Sequence, residues 1–302
     1  MTGPIEAAAC ELLWSLWTEL GVPGVTRKHT DVALDLEPLV LFTPYLASSD
    51  PRLEELASAW CAQHGGSFLS KWRLRGLSRA LREPVAGPFT RFSSELSARR
   101  GGPWIAFEPV QVGDLGVVRQ VAVRLERPAL APLRARALFG VGARADVVCA
   151  GIAAGRRWWS SRDLAGLGYS LRALTPVLDD LVRSGLVMRD DRRQPYAYRW
   201  RDGRSPAPLL EAEGLVWTDW LVILRIVARL VAYERAGVTG VLARARAHQV
   251  AEGIRPDAAA MLLPELPRTS GEADAPDRLT TWARSLVSEL ADGFAPPLPI
   301  LL

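Results

Sequence analysis

Between Ser160 and Gly185 the chain reads SSRDLAGLGYSLRALTPVLDDLVRSG, and this punctuation limits the fold more than any other stretch. Gly166 and Gly168 break a first helix after less than two turns, because glycine favours conformations a helix does not use. Ser160 or Ser161 is placed to cap that short helix, and Asp163 adds favourable charge at its N-terminal end. Ser170 is placed to cap a second helix, in which Leu171, Leu174, Leu178 and Leu181 recur at helical spacing as one buried stripe. Arg172, Thr175, Asp179 and Arg183 are left on the opposite face. Pro176 falls inside this helix, where it removes a backbone donor and can kink the axis. Gly185 is the expected stop.

The flanking text extends the pattern. Upstream, PLRARALFGVGARADVVCAGIAAG reads as helical from Pro132 and ends at Gly155. Downstream, Leu186-Val187-Met188 and Tyr196-Ala197-Tyr198 bracket the polar turn RDDRRQP, the signature of a β-hairpin,. Arg192 and Arg193 occupy its tip, and Arg189 and Arg199 its strands. Residues 151–204 hold eleven arginines against six aspartates, a local charge of +5 in a chain whose total is +4. Positive charge is therefore concentrated here, and the remainder of the chain is nearly neutral.

Helix, short helix, tight turn, helix and basic hairpin is the order of a winged helix-turn-helix. With its DLA and LGYS segments and the GLV before the hairpin, the stretch resembles the winged-helix domains of bacterial transcription regulators of the MarR and ArsR type. The resemblance covers residues 131–204, about a quarter of the chain. It implies double-stranded DNA as partner, with the leading turn of the second helix in a major groove. Ser170, Arg172 and Thr175 would then face base edges. Arg162, Arg183, Arg189, Arg192 and Arg193 would meet phosphates or the minor groove. Because one module reads too few bases for useful specificity, a homodimer on a two-fold operator is the expected mechanism. A small-molecule or protein effector stays open. The rival reading is a non-enzymatic adaptor whose winged helix holds a partner protein.

The whole chain is expected to be mainly α-helical. Residues 1–83 read as an N-terminal helical domain, residues 84–130 as a breaker-rich connecting region with one short strand at VVRQVAVRL, and residues 205–302 as a C-terminal helical domain. In that last part PRTSGEADAP reads as a polar insert. Trp217, Trp220, Ile223, Leu224, Val227 and Leu230 make a helix apolar over more than half its circumference. It suits the interior of a helical domain, a two-fold contact or, less well, an aromatic effector pocket.

Other chemistry finds little support. Cys10, Cys61 and Cys149 are odd in number and lack paired spacing, so neither a disulfide framework nor a zinc site is expected,. Asp35, in TDVALDLEPLVLF, reads as a helix cap rather than half of a metal-binding pair. GVGARAD lacks the lysine and the preceding strand of a phosphate loop. No cofactor, metal or enzymatic nucleophile is expected. The most apolar run is broken by Asp219, Arg225 and Arg229, which argues against a membrane span. The N-terminus has no basic leader, and cytoplasmic residence is the expectation.

Overall fold

The computed structural model describes residues 3–99, 122–269 and 273–298. Among them the fold is mainly helical, with eleven α-helices and one three-stranded antiparallel sheet. Helix α1 (Pro4–Glu19) opens with proline in its first turn, and α3 (Pro51–Phe68) does the same behind Asp50. The Asp50 carboxylate accepts from the Leu53 N–H at 3.2 Å and from Trp14 Nε1 at 2.7 Å. Between them lies α2 (Leu36–Leu46), whose eleven residues are all buried. A helix hidden on every side needs neighbours on every side. They are α1, α4 (Lys71–Ser78), α5 (Ala86–Arg99) and, from far along the chain, α9 (Trp220–Ala236).

Helix α5 occupies part of the expected connecting region. Gly87 and Pro88 lie in its first turn, where proline costs no hydrogen bond,. Behind them Phe89, Phe92 and Leu96 form a buried stripe at helical spacing. Most of the strand expected at VVRQVAVRL lies outside the described residues, and residues 122–124 form no strand. Three residues of the expected polar insert, 270–272, also lie outside them.

The helices on either side of the central segment share one hydrophobic core. It runs from Ile5 to Leu96 and from Trp220 to Ala291, with α11 (Ala275–Ala291) packed along α1 and α10 (Gly240–Ala260) along α9. The two ends of the sequence thus fold against each other instead of forming independent helical regions. The reason is supply of apolar surface, since neither set can cover α2 alone. Helix α9 lies inside, with Trp220, Ile223, Leu224, Val227 and Leu230 all buried within the chain. Trp217, expected in the same helix, precedes it and packs half-buried against the second core, because the helix starts only behind Asp219. The Asp219 carboxylate caps it on the Val222 N–H at 3.1 Å. The indole N–H groups of Trp17, Trp60 and Trp220 donate to Thr43 Oγ1, Leu20 O and Ala33 O. Buried indoles usually find such partners, although the indole N–H groups of Trp159 and Trp200 have none among the described residues,.

A second core belongs to the middle of the chain. It gathers α6 (Ala131–Phe139), α7 (Ala143–Ala154), β1 (Trp159–Ser160), α8 (Leu171–Arg183), β2 (Val187–Asp190) and β3 (Ala197–Trp200). Strand order is β1-β3-β2, all antiparallel, with Val187 opposite Trp200 and Trp159 opposite Tyr198. The hairpin expected from the sequence is therefore present at its expected place.

The helix expected before α8 is not. Residues 161–164 are turns, followed by a single 3-10 turn at Ala165–Leu167. Ser160 does not cap; its N–H and hydroxyl both donate to the Asp163 carboxylate, at 2.6 and 3.0 Å, while its backbone pairs with Ala197. A residue held in a strand cannot start a helix, and too few residues then remain before Gly168, which is left-handed with φ +78°.

Candidate nucleic-acid interface

Helix α8 carries the central face. Leu174, Leu178 and Leu181 are buried, as their spacing requires, but Leu171 is 60% exposed. It lies one turn beyond the edge of the second core, and its Cα–Cβ bond points further out toward the helix start. Ser170 sits at the N-cap position, yet its hydroxyl accepts no capping bond. Thr175 donates its hydroxyl back to Leu171 O at 2.9 Å. Pro176 leaves the Arg172 carbonyl without its helical donor, but α8 continues through it to Arg183,. Ser170, Leu171, Arg172, Ala173, Thr175 and Pro176 are all exposed, so the leading turn is open to solvent.

The arginines divide into two groups. The guanidiniums of Arg162, Arg172 and Arg192 are exposed and have no acidic partner among the described residues, although the Arg192 backbone N–H donates to Asp190 at 3.0 Å. Arg183, Arg189, Arg193 and Arg199 are engaged. Arg183 donates to Asp180 at 2.9 Å, and Asp180 also receives Arg144 at 2.9 Å. Arg189 bridges Asp191 at 2.5 Å and Asp179 at 3.3 Å, with its guanidinium 4.8 Å from the Tyr196 ring centre. Arg193 pairs with Asp190 at 3.2 Å and, with Arg199, covers the Trp158 ring. Trp159 is buried against Tyr198, so the tryptophan pair supports the hairpin by packing.

Behind this face lies a polar knot that joins the two cores. Glu37, in the first turn of buried α2, accepts from Arg136 at 2.8 Å through both oxygens, from Arg73 at 2.6 Å and from the Ser70 N–H at 2.7 Å. Asp35 holds the N-cap position of α2, as expected, but not as a side-chain cap. Its carboxylate makes no cap bond and instead takes Arg73 in a bidentate pair at 2.5 and 2.6 Å. The Arg136 guanidinium also reaches Asp146 at 2.9 Å, and Tyr169 donates to the other Asp146 oxygen at 2.7 Å. Arg73 Nε donates to Leu167 O at 2.7 Å. The turn that leads into α8 is thereby tethered to the helical core.

Burial would raise the Glu37 carboxyl, but the guanidiniums of Arg136 and Arg73 outweigh it and hold the group below the ordinary range. Burial would likewise weaken the proton on Arg73, and the paired carboxylates of Asp35 and Glu37 reverse that. The Tyr169 phenol is pushed well up, first by burial and then by the Asp146 charge. The sequence offered one sign of this knot: a glutamate inside the otherwise apolar LEPLVLF. Nothing marked Arg73, Arg136 or Tyr169.

Two adjoining cavities, of about 100 and 180 Å³, lie between the cores beneath residues 162–167. Asp35, Arg73, Ala150, Leu167, Thr218 and Leu298 line both. Among the described residues no group of three or more His, Cys, Asp or Glu is placed to hold a metal, and no helix is long and apolar enough to cross a membrane. No family model, curated protein or solved structure matches the chain.

Proposed function

We propose that residues 131–204 form a winged helix that binds double-stranded DNA, and that the protein is a non-enzymatic transcription regulator acting as a homodimer. The observation that carries this reading is the open leading turn of α8, with Ser170, Arg172 and Thr175 exposed on a helix whose leucines face inward. The order α7, β1, a single 3-10 turn, α8 and the β2–β3 hairpin supports it, with that turn standing where the first short helix was expected. Arg172 supplies a bidentate donor for a base edge, and Arg162 and Arg192 supply phosphate contacts. An effector would act most directly at the paired cavities, because Leu167 there is bonded to Arg73.

Gel shift on sequences selected from a random duplex pool tests the reading. Arg172→Ala should cost about 1–3 kcal/mol at particular base positions, and Arg192→Ala with Arg193→Ala should weaken all sequences alike. Unchanged binding in Arg172→Ala removes the base-reading role. A second reading, a protein-binding adaptor, is favoured by the aspartates that neutralise Arg183, Arg189 and Arg193. It predicts little retention on heparin or random duplex and little salt dependence.

A further inference from the structure

Helix α4 lies directly against the turn that precedes α8. A Cβ at Gly76 would stand 2.9 Å from Gly168 O, and the Leu77 side chain packs on Gly168. Ser70, one residue before α4 begins, donates its hydroxyl to the Tyr169 oxygen at 3.0 Å, since the phenol proton goes to Asp146, and Arg73 holds Leu167 O. The helix can come this close only because Gly76 has no side chain.

The opposite side of α4 faces solvent. Lys71, Arg75 and Arg79 recur every four residues and so share one face,. Lys71 and Arg79 are exposed and Arg75 partly so, while Trp72 is 77% exposed. No acidic residue occurs from Lys71 through Arg82. Among the described residues none of these three cations has an acidic partner, and Arg75 Nε makes no hydrogen bond. The Arg75 guanidinium is instead 5.2 Å from the Trp72 ring centre, which orders it at the surface,. This differs from the hairpin, where Arg189 and Arg193 are already neutralised.

We propose that α4 is a second phosphate-binding element, with Lys71, Arg75 and Arg79 gripping the DNA backbone beside the groove entered by α8 and Trp72 packing against the sugars. This rests on the reading of α8 as a DNA-binding helix and extends that surface onto the helical core. The occupant follows from charge complementarity, on a helix whose far side packs on the turn that leads into α8. A cationic, carboxylate-free face suits a polyphosphate backbone, and contacts of this kind position a protein without reading sequence. It also gives the polar knot a purpose, because Arg73 and Tyr169 fix the placement of α4 relative to α8.

The test is fluorescence anisotropy of a labelled mixed-sequence duplex titrated with the full chain across a salt series. Lys71→Ala with Arg79→Ala should weaken every sequence alike and reduce the slope of log K against log salt by about 2, one unit per lost phosphate contact. Lys71→Arg with Arg79→Lys should restore the slope, and thermal melting of both variants should match wild type. Wild-type affinity and slope in the alanine variant, while Arg192→Ala with Arg193→Ala reduces both, would overturn the role of α4 and leave that of α8 standing. Loss in the α4 variant with no effect of Arg172→Ala would do the reverse. A wild-type chain that fails to bind duplex overturns both.

Discussion

Arg73 Nη1 lies 2.6 Å from Glu37 Oε2, and both side chains are almost fully enclosed. They belong to two helices of the helical core, α2 and α4, and Arg73 also reaches across to the turn before α8 through Leu167 O. Desolvating such charges costs several kcal/mol per ion, which only close, fully bonded geometry offsets. Here each carboxylate oxygen of Glu37 has two donors. Removing one partner strands the other. Glu37→Gln or Arg73→Met should therefore cost about 3–5 kcal/mol in urea unfolding. Asp292→Asn, which breaks the exposed pair with Lys28, should leave the midpoint where it is,. Equal midpoints for all three variants would show that the buried pair carries no weight.

His29 supplies a pH dependence of known sign. Burial drives its pKa down to about 4, with Lys28 adding to the effect and Asp31 opposing it. Its ring accepts or donates at Ser15 Oγ, 2.7 Å away, and stacks edge-on against Trp220. The folded state therefore keeps His29 neutral where an unfolded chain, near pH 6.5, takes up a proton. The stabilisation is fully present above pH 6.5 and is lost as pH falls toward 4, an amount of about 3 kcal/mol. Stability measured between pH 7 and pH 4.5 should fall less steeply in His29→Asn than in wild type. Parallel curves would contradict this.

The leucine stripe of α8 is not uniform. Leu174 is wholly buried, whereas Leu171 is 60% exposed. Leu174→Ala should cost about 2–5 kcal/mol, through lost transfer energy and the cavity left behind. Leu171→Ala should fall within about 0.5 kcal/mol of wild type. Denaturant midpoints of the two variants decide it, and comparable losses would mean that the leading turn is covered.

Charge masking on the hairpin can be undone. Asp179 and Asp191 both hold Arg189. In Asp179→Asn with Asp191→Asn, the freed guanidinium should strengthen binding to random duplex and steepen its salt dependence. Anisotropy at two salt concentrations is sufficient. No gain would indicate that Arg189 stands away from the phosphate path.

Gly76→Ala should press on Gly168 O, a backbone atom that cannot yield as a flexible side-chain tip can. The expected outcome is a lower melting temperature together with weaker duplex binding, because α4 and the start of α8 share that contact. An unchanged melt would show that the close approach is not needed.

Local chemistry was readable along the chain. The spacing of Leu174, Leu178 and Leu181, the polar turn between Val187 and Trp200, and the prolines and aspartate that open α1 and α3 each act over a few residues, so their outcome is written in the order of the residues. The mainly helical character followed from the same periodicities. Errors arose where a residue had competing partners. Ser160 was taken by a strand and by Asp163 instead of capping a helix, and Asp35 was drawn from capping to Arg73. Residues 86–99 looked like a connection until Phe89, Phe92 and Leu96 found α2 and α3 to pack on.

What the sequence determined alone was therefore the set of helices that could form and the faces they would hide, because hydrogen bonding and apolar spacing are short-ranged. Only the tertiary structure decided that the two ends of the chain share a core, that Glu37 would be buried between Arg73 and Arg136, and that α4 would lie against the turn before α8. Those outcomes join residues dozens to hundreds of positions apart. Which charge meets which across such distances depends on how the apolar surfaces pack first, and no local pattern encodes that.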